Sequence, residues 1–581
     1  MYLKKSTNLK TGRTQLSAVH GFRDPVTKKV RTKVIKTFGY LDILEKQYED
    51  PLGHFAEEVR KMNMQYDKDK EITITLSSLD RIDVKEKPMC LGYFPFSGLF
   101  HEMEIDAFLN NYQSGRKIGY SLSKILQLLV YCRLLFPGSK AKAFEKKDVF
   151  FEKFDFSLDD IYRSLSHFCG IKDKLQTHLY EMARAKHGAR PHLLYYDVTN
   201  YYFELDSEDN LKKRGVSKEH RPEPIVQMGL MMDQDSIPIA YRLFPGNTND
   251  CETLRPMINS FQKSLDAKRV IIVADRGINT YKNIISCILN HNGYVFSQSI
   301  RKAHKELKDY VFDGQGYKVF ESGFKIKSRV YPKEVTLTDM CGRQKKVRID
   351  EKQVVFYDPE YAERARAERS EAVRKAYDLI ADPSRYSKST SFGAARFIDN
   401  LSFDKETGEV LTGHILSFNR EKLAEEEMYD GYYSIVTSEL DKGTDEIIEI
   451  YRGLWKIEES FKITKTNLET RPVYVSREDH IEGHFLTCFI SLLFIRLLER
   501  QAGGSNSVSC ILESLRKYEV SHLDSNFYKT IYYDKVLEGI GNSLGFTLNQ
   551  KIVTRGQIKN FLAMQKKRKN TTHFRNDKID I

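Results

Sequence analysis

Residues 451–465 read Tyr-Arg-Gly-Leu-Trp-Lys-Ile-Glu-Glu-Ser-Phe-Lys-Ile-Thr-Lys, and their spacing could do chemistry. Read as one helix, the stretch sets Tyr451, Trp455, Glu458, Lys462 and Lys465 on a single face. Ile447, Ile450, Leu454, Ile457 and Phe461 form a second, apolar stripe that predicts contact with a core. The first stripe joins a carboxylate, two cations and two aromatics, one of them the only Trp in 581 residues. A face of this kind suits a site that holds a metal and a phosphate backbone. Each residue also has an ordinary alternative: Glu458 and Lys462 as an i,i+4 ion pair, and Trp455 as core.

Two further carboxylates carry the same promise. Asp197 lies near the end of the apolar run 193–198, and Asp275 follows the apolar run 270–274. Such runs predict buried strands. A charge at the end of a buried strand needs a partner, and a divalent metal is one. Hard oxygen ligands suit Mg²⁺ or Mn²⁺, and three carboxylates suffice for a two-ion site that clamps an in-line displacement at phosphorus. An Asp after a strand can also be a simple turn or cap residue.

The elements that must position these acids follow from patterning. The order over 190–300 is strand, hairpin (225–232 and 237–244), helix (252–265), strand, helix (281–290), strand (294–298). Ahead of it, 97–189 reads helical, with 121–135 stopped by Pro137-Gly138 and further helices at 158–168 and 172–185. Residues 301–440 mix strand-like runs (317–330, 354–357) with a charged helix at 362–380, and are expected as an inserted domain. Ser476 and Asp479 predict a capping box for a long helix ending near Gly503-Gly504. The domain reading is 1–65 basic N-terminal domain, 66–96 linker, 97–189 helical domain, 190–300 and 441–503 the two parts of a catalytic core, and 504–581 a C-terminal helical region with a basic tail.

Composition bounds the function classes. At 41% apolar the chain builds real cores and is no disordered tether. The net charge of +12 is unevenly spread: residues 1–40 hold ten Lys or Arg against Asp24 alone, and Lys566-Lys-Arg-Lys569 adds a second run. That asymmetry fits nucleic acid or another polyanion, with the N-terminal segment as the favoured recognition module. The eight cysteines show no zinc or Cys-x-x-Cys spacing and read as reduced thiols. The N-terminus has no apolar signal segment, so a cytoplasmic protein without a membrane role is expected. The most apolar run, 485–498, reads as a core helix.

Taken together, these segments resemble a family. The strand–hairpin–helix–strand order with Asp on its first and fourth strands resembles the RNase H-like core. The 451–465 helix resembles the Tyr-Arg-Glu-Lys signature of bacterial insertion-sequence DDE transposases, whose Tyr, Glu and Lys fall on Tyr451, Glu458 and Lys465. The Arg position is Leu454, a departure, and Arg452 lies elsewhere on the helix. Asp197-Val-Thr-Asn-Tyr-Tyr-Phe-Glu204, Pro245-Gly-Asn-Thr248 and Ala274-Asp-Arg-Gly277 also fit the family. The resemblance spans about residues 190–500.

It implies an α/β fold with an RNase H-like mixed sheet, an inserted β-rich domain, and an N-terminal β plus helical region. It implies Asp197, Asp275 and Glu458 as the catalytic and metal-binding triad for two Mg²⁺ or Mn²⁺ ions, with Glu459 the second choice for the third acid. Cleavage at element ends and strand transfer would follow. Double-stranded DNA would be the partner, as inverted-repeat ends and target, and a homodimer would act on paired ends. Tyr451, Trp455, Lys462, Lys465, Arg452, His220 and Arg221 are the candidate DNA contacts. A catalytically idle DNA-binding protein and a structure-specific metal-dependent nuclease on the same fold remain the alternatives.

Overall fold

In the computed structural model of the chain, the described residues are 1–8, 12–23, 30–68, 87–190, 192–215, 222–261, 269–338, 344–387, 390–391, 393–404, 409–411, 415–524, 526–567 and 579–580. His220 and Arg221 lie outside them. The chain divides into two compact units, Met1–Asp83 and Val84–Ile581.

The first unit is a three-stranded antiparallel sheet, Tyr2–Thr7, Thr14–Arg23 and Val30–Tyr40, with a helix at Pro51–Lys68. Leu16, Leu44 and Phe55 form its small core, and Phe38 stacks on Phe55. Val30–Tyr40 is exposed along nearly its whole length and carries Arg31, Lys33 and Lys36.

The second unit is built on one nine-stranded sheet. Its main strands are β1 (Leu193–Tyr202), β2 (Ile225–Asp233), β3 (Pro238–Pro245), β4 (Ile271–Ala274), β5 (Gly293–Gln298), β6 (Lys325–Thr338), β7 (Gln344–Tyr357) and β8 (Tyr432–Thr437). The order across the sheet is β6-β7-β8-β5-β4-β1-β2-β3, with the two-residue strand Lys318–Val319 outside β6. β1, β4 and β5 are parallel neighbours, and every other pairing is antiparallel. The run β3-β2-β1-β4-β5 is the RNase H-like arrangement expected from the sequence. Residues 301–440 do not stand apart from it, because β6, β7 and β8 continue the same sheet beyond β5. Their long hairpin satisfies its backbone groups on the core's own edge, the natural outlet for unpaired N–H and C=O groups.

Both faces of the central sheet are covered, which explains the unbroken apolar runs. Side chains alternate across the pleat. On β1, Leu194, Tyr196 and Val198 enter one core, beneath α3 (Asp250–Phe261) and α4 (Tyr281–Leu289). Tyr195 and Tyr201 enter the other. That second core holds α1 (Leu122–Leu135), α2 (Leu158–His187), α6 (Thr444–Arg452), α7 (Trp455–Thr466) and α8 (Glu478–Gln501). The 97–189 helices therefore pack into the same core as the sheet through α8, which lies on α1 and α2. α8 is long and apolar enough to cross a membrane, but 94% of its apolar window is buried in the fold.

Several local expectations change. α2 is one helix of 30 residues where two were expected: a Ser157–Asp160 capping box starts it, and Gly170 is carried through. The capping box at Ser476 and Asp479 does not form. Arg477 is the N-cap, and Asp479 accepts instead from Ser166 Oγ at 2.6 Å and from Arg477. Residues 504–581 are not purely helical, since 519–524, 527–530 and 552–554 form a small sheet with Met89–Cys90. The helix Arg555–Lys567 ends in the basic run.

Candidate active site

Strand register brings the first two acids together. β1 and β4 run parallel with Tyr196 paired to Ala274. The next residue on each strand is Asp197 and Asp275, so the two stand side by side at the sheet's carboxyl edge. Ala274 pairs onward with Phe296 of β5, which sets Ser297 beside Asp275. Ser297 Oγ donates to Asp275 Oδ1 at 2.8 Å, and the Tyr451 hydroxyl donates to the same oxygen at 3.2 Å. Burial first, and then the Asp275 charge, push the Tyr451 hydroxyl above its usual range, so it remains a donor.

Glu458 arrives from across the sheet. Residues 451–465 are not one helix: α6 ends at Arg452 and α7 starts at Trp455. The interruption has a visible cause. The Tyr195 hydroxyl, rising from β1, donates to the Ile450 carbonyl at 3.2 Å. Leu454 N, which would bond that carbonyl in a continuous helix, turns to Tyr451 O at 3.0 Å. Gly453 is required at the break, because a Cβ there would lie 2.0 Å from the Tyr195 hydroxyl. The kink leaves Glu458 in the first turn of α7.

Asp197, Asp275 and Glu458 line one cavity of about 430 Å³, together with Thr199, Asp250 and Leu454. A larger cavity of about 620 Å³ shares Asp275, Leu454 and Glu458, and extends under β5 and the residues of 360–433. A third, of about 600 Å³, shares Thr199, Asp250 and Gly277 and reaches the loop Gly246–Asn249. Gly246 is needed there, because a Cβ would meet the Ile225 carbonyl at 2.2 Å. The acids thus sit in a continuous series of hollows.

The donors are carboxylate and hydroxyl oxygens, the chemistry that hard divalent cations take. Among the described residues no three His, Cys, Asp or Glu side chains cluster tightly enough to hold an ion by themselves. The three acids share a cavity without closing on one point.

The remaining sequence candidates separate clearly. Glu459 is tied to the buried Arg496 at 3.0 Å, a guanidinium only 3% exposed that also binds Glu499 and Ser460, whereas Glu458 lines the cavity with Asp197 and Asp275. Trp455 is 56% exposed at the start of α7, which removes the core reading. Lys462 is exposed, and Lys465 Nζ lies 5.7 Å from the centre of the Tyr201 ring. Arg452 pairs with Glu449 at 3.0 Å and lies over Phe324, and it does not line the acid cavities. Leu454, at the departure from the signature, is 6% exposed and lines the cavity wall.

Sequence reasoning missed Ser297, Asp250 and Arg276. Ser297 was findable by laying the strand 294–298 beside the strand ending at 274. Asp250 and Arg276 carried no signal beyond adjacency to the motifs.

The sequence matches the family model "Transposase DDE domain" over residues 206–494, which begins after Asp197 and includes Asp275 and Glu458. It matches "IS1634 family transposase, N-terminal domain" over residues 3–71. No curated protein matches the chain. Among solved structures, a piggyBac transposase synaptic complex with hairpin DNA overlaps 78% of this chain and 75% of its own, at 7% identity and a TM-score of 0.34. A Mos1 transposase paired-end complex with the left transposon end overlaps 42% and 68%, at 13% identity and a TM-score of 0.14. Likeness that low bears on no residue of the site.

Proposed function

This chain belongs to the insertion-sequence DDE transposases, and from that premise we propose that Asp197, Asp275 and Glu458 are the acids that cut and rejoin DNA at the element's ends. One observation carries the assignment: Asp197 and Asp275 are neighbours on parallel strands, and Glu458 lines the same cavity from a kinked helix.

The family uses divalent metal, and the oxygen donors here fit it. Asp197, Asp275 and Glu458 would hold two Mg²⁺ or Mn²⁺ ions, with substrate phosphate oxygens and water completing the shells. Bound metal supplies charge stabilisation at phosphorus and lowers the pKa of water. The protein's own part is positional. Ser297 and Tyr451 donate to one Asp275 oxygen and fix that carboxylate's rotation. The kink at Gly453 sets the approach of Glu458.

In the first step a water oxygen attacks the phosphorus at the element's end, and the bond to the 3′ oxygen breaks. In the second, the freed 3′-hydroxyl loses its proton and attacks a phosphorus of the other strand or the target, and the bond from that phosphorus to the neighbouring nucleotide's 3′ oxygen breaks, so that oxygen leaves as a new 3′-hydroxyl. No covalent enzyme intermediate is required. Tyr451, Trp455, Lys462 and Lys465 contact the end, with exposed Trp455 able to stack on an unstacked base. The basic unit Met1–Asp83 recognises the end sequence, and two copies act on paired ends in the cytoplasm.

The test is incubation of the protein with a duplex of the flanking inverted repeat and Mg²⁺ or Mn²⁺, mapping each nick. A nick at the element's end, abolished by EDTA and by Asp275→Ala while DNA binding persists, is the expected result. Cleavage that survives EDTA would overturn the assignment.

A further inference from the structure

Four arginines line the larger cavity beside the acids: Arg276, Arg301, Arg369 and Arg396. Three are engaged within the protein. Arg369 Nη1 donates to Asp430 at 2.6 Å, and Arg301 and Arg396 both reach Glu426, at 3.7 and 3.4 Å. Among the described residues the Arg276 side chain makes no hydrogen bond and no ion pair, although it is exposed and stands next to Asp275.

Its backbone is nevertheless held firmly. Ile278 N donates to Asp275 O at 3.0 Å, and Asn279 N to Arg276 O at 3.3 Å. Asn279 Nδ2 donates to Ser297 O at 2.8 Å, which ties the turn to β5. The cation is thus fixed at its root and exposed, and its charge reaches the Tyr433 and Tyr451 hydroxyls of the same cavity.

The opposite wall needs such a charge. α7 brings no cation there: Leu454, buried between Tyr451 and Glu458, is apolar. A phosphodiester entering this hollow meets Asp275 and Glu458, with Glu368, Glu426 and Asp430 also on its walls. A guanidinium matches two phosphate oxygens with two parallel N–H donors, and arginine clamps on reacting phosphoryl groups stabilise the charge that develops.

We propose that Arg276 is a phosphate-binding cation of the larger cavity, additional to the lysines of α7: its guanidinium grips the non-bridging oxygens of the DNA phosphate beside the bond to be cut, from the strand-end turn. This rests on the active site proposed above. The contact leaves when the DNA leaves, so Arg276 adds nothing to the stability of the free protein.

Arg276→Ala and Arg276→Lys are compared with the wild type and Asp275→Asn, all as full chains, on the inverted-repeat duplex with Mg²⁺. Single-turnover nicking is expected to fall about 10- to 100-fold in Arg276→Ala and to recover partly in Arg276→Lys. The slope of log binding constant against log salt should flatten by about 0.9, one phosphate's worth. Thermal unfolding should not move. A duplex with one neutral methylphosphonate at the gripped position should slow the wild type and leave Arg276→Ala unaffected. Wild-type nicking and an unchanged salt slope in Arg276→Ala would overturn the proposal, as would a lowered unfolding temperature, which would mark a structural role. If the wild type binds without nicking while Asp275→Asn behaves identically, the active-site reading falls, and the salt slope alone decides Arg276.

Discussion

Gly453→Ala tests whether the break between α6 and α7 aims Glu458. The glycine's own backbone is in the right-handed helical region, at φ −56° and ψ −11°, so alanine meets no conformational barrier. In an ordinary helix the change would stabilise by up to about 1 kcal/mol. Here the new Cβ would lie 2.0 Å from the Tyr195 hydroxyl and 2.5 Å from its ring carbon Cζ. Tyr195 is 3% exposed and has little room to retreat. Overpacking of that kind costs about 1–3 kcal/mol, and losing the hydroxyl's bond to Ile450 O costs about 1 more. The expected net loss is about 1–3 kcal/mol, read as a shift of the denaturant midpoint. The functional effect should be larger than the stability effect. A helix pushed off Tyr195 by about 1 Å displaces Glu458 by a similar amount, and misplacement on that scale costs about 100-fold in rate. Tyr195→Phe in the same chain removes the nearest clashing atom and should return part of both losses, measured by chemical unfolding and single-turnover nicking. A Gly453→Ala protein that unfolds and nicks like the wild type would refute the argument.

Other outcomes follow from neighbouring contacts. Glu458→Gln should abolish nicking at unchanged stability, whereas Glu459→Gln should destabilise by leaving Arg496 short of a partner, with nicking retained; reversed phenotypes would exchange the two assignments. Lys465→Ala should weaken DNA binding and flatten its salt dependence by about one phosphate, and an unchanged slope rules the contact out. Lys140 is buried against His484 at 3.0 Å, and burial, then Arg133, push its ammonium down to about 7. An unfolded lysine keeps its proton to about pH 10.4, so between about 7 and 10 unfolding takes up a proton and stability rises with pH, by up to about 1.4 kcal/mol per unit. Lys140→Met should remove that component from a pH series of unfolding midpoints; an identical slope in both proteins would exclude it.

Fold type was legible in the sequence because it depends on local regularities. The apolar runs around Asp197 and Asp275 read as buried strands, and the hairpin after β1 follows from two apolar runs joined by the polar turn Asp233–Ser236. The separation of Tyr451, Glu458 and Lys465 pointed to one helical face even though the helix is broken. The break itself was illegible, because its cause is a tyrosine hydroxyl some 250 residues away in sequence, acting on one carbonyl.

The same reason covers the rest of what the amino-acid order left open. Glu458 and Glu459 differ by one position, and only the packing of Arg496 from α8 assigns the second to structure. Strand-like segments in 301–440 were visible, but pairing is made between distant backbones, so their joining of the central sheet through β8 beside β5 was not. Arg276 reads in sequence as one more charge in a turn. Its distinction is that the other three arginines around the cavity have found carboxylates and it has not, which is a property of three-dimensional neighbours. Periodicity and residue type determined which elements exist and which side chains could do chemistry. Register, the helix break and the pairing of charges decided where those side chains meet, because each is set by contacts between segments far apart along the chain.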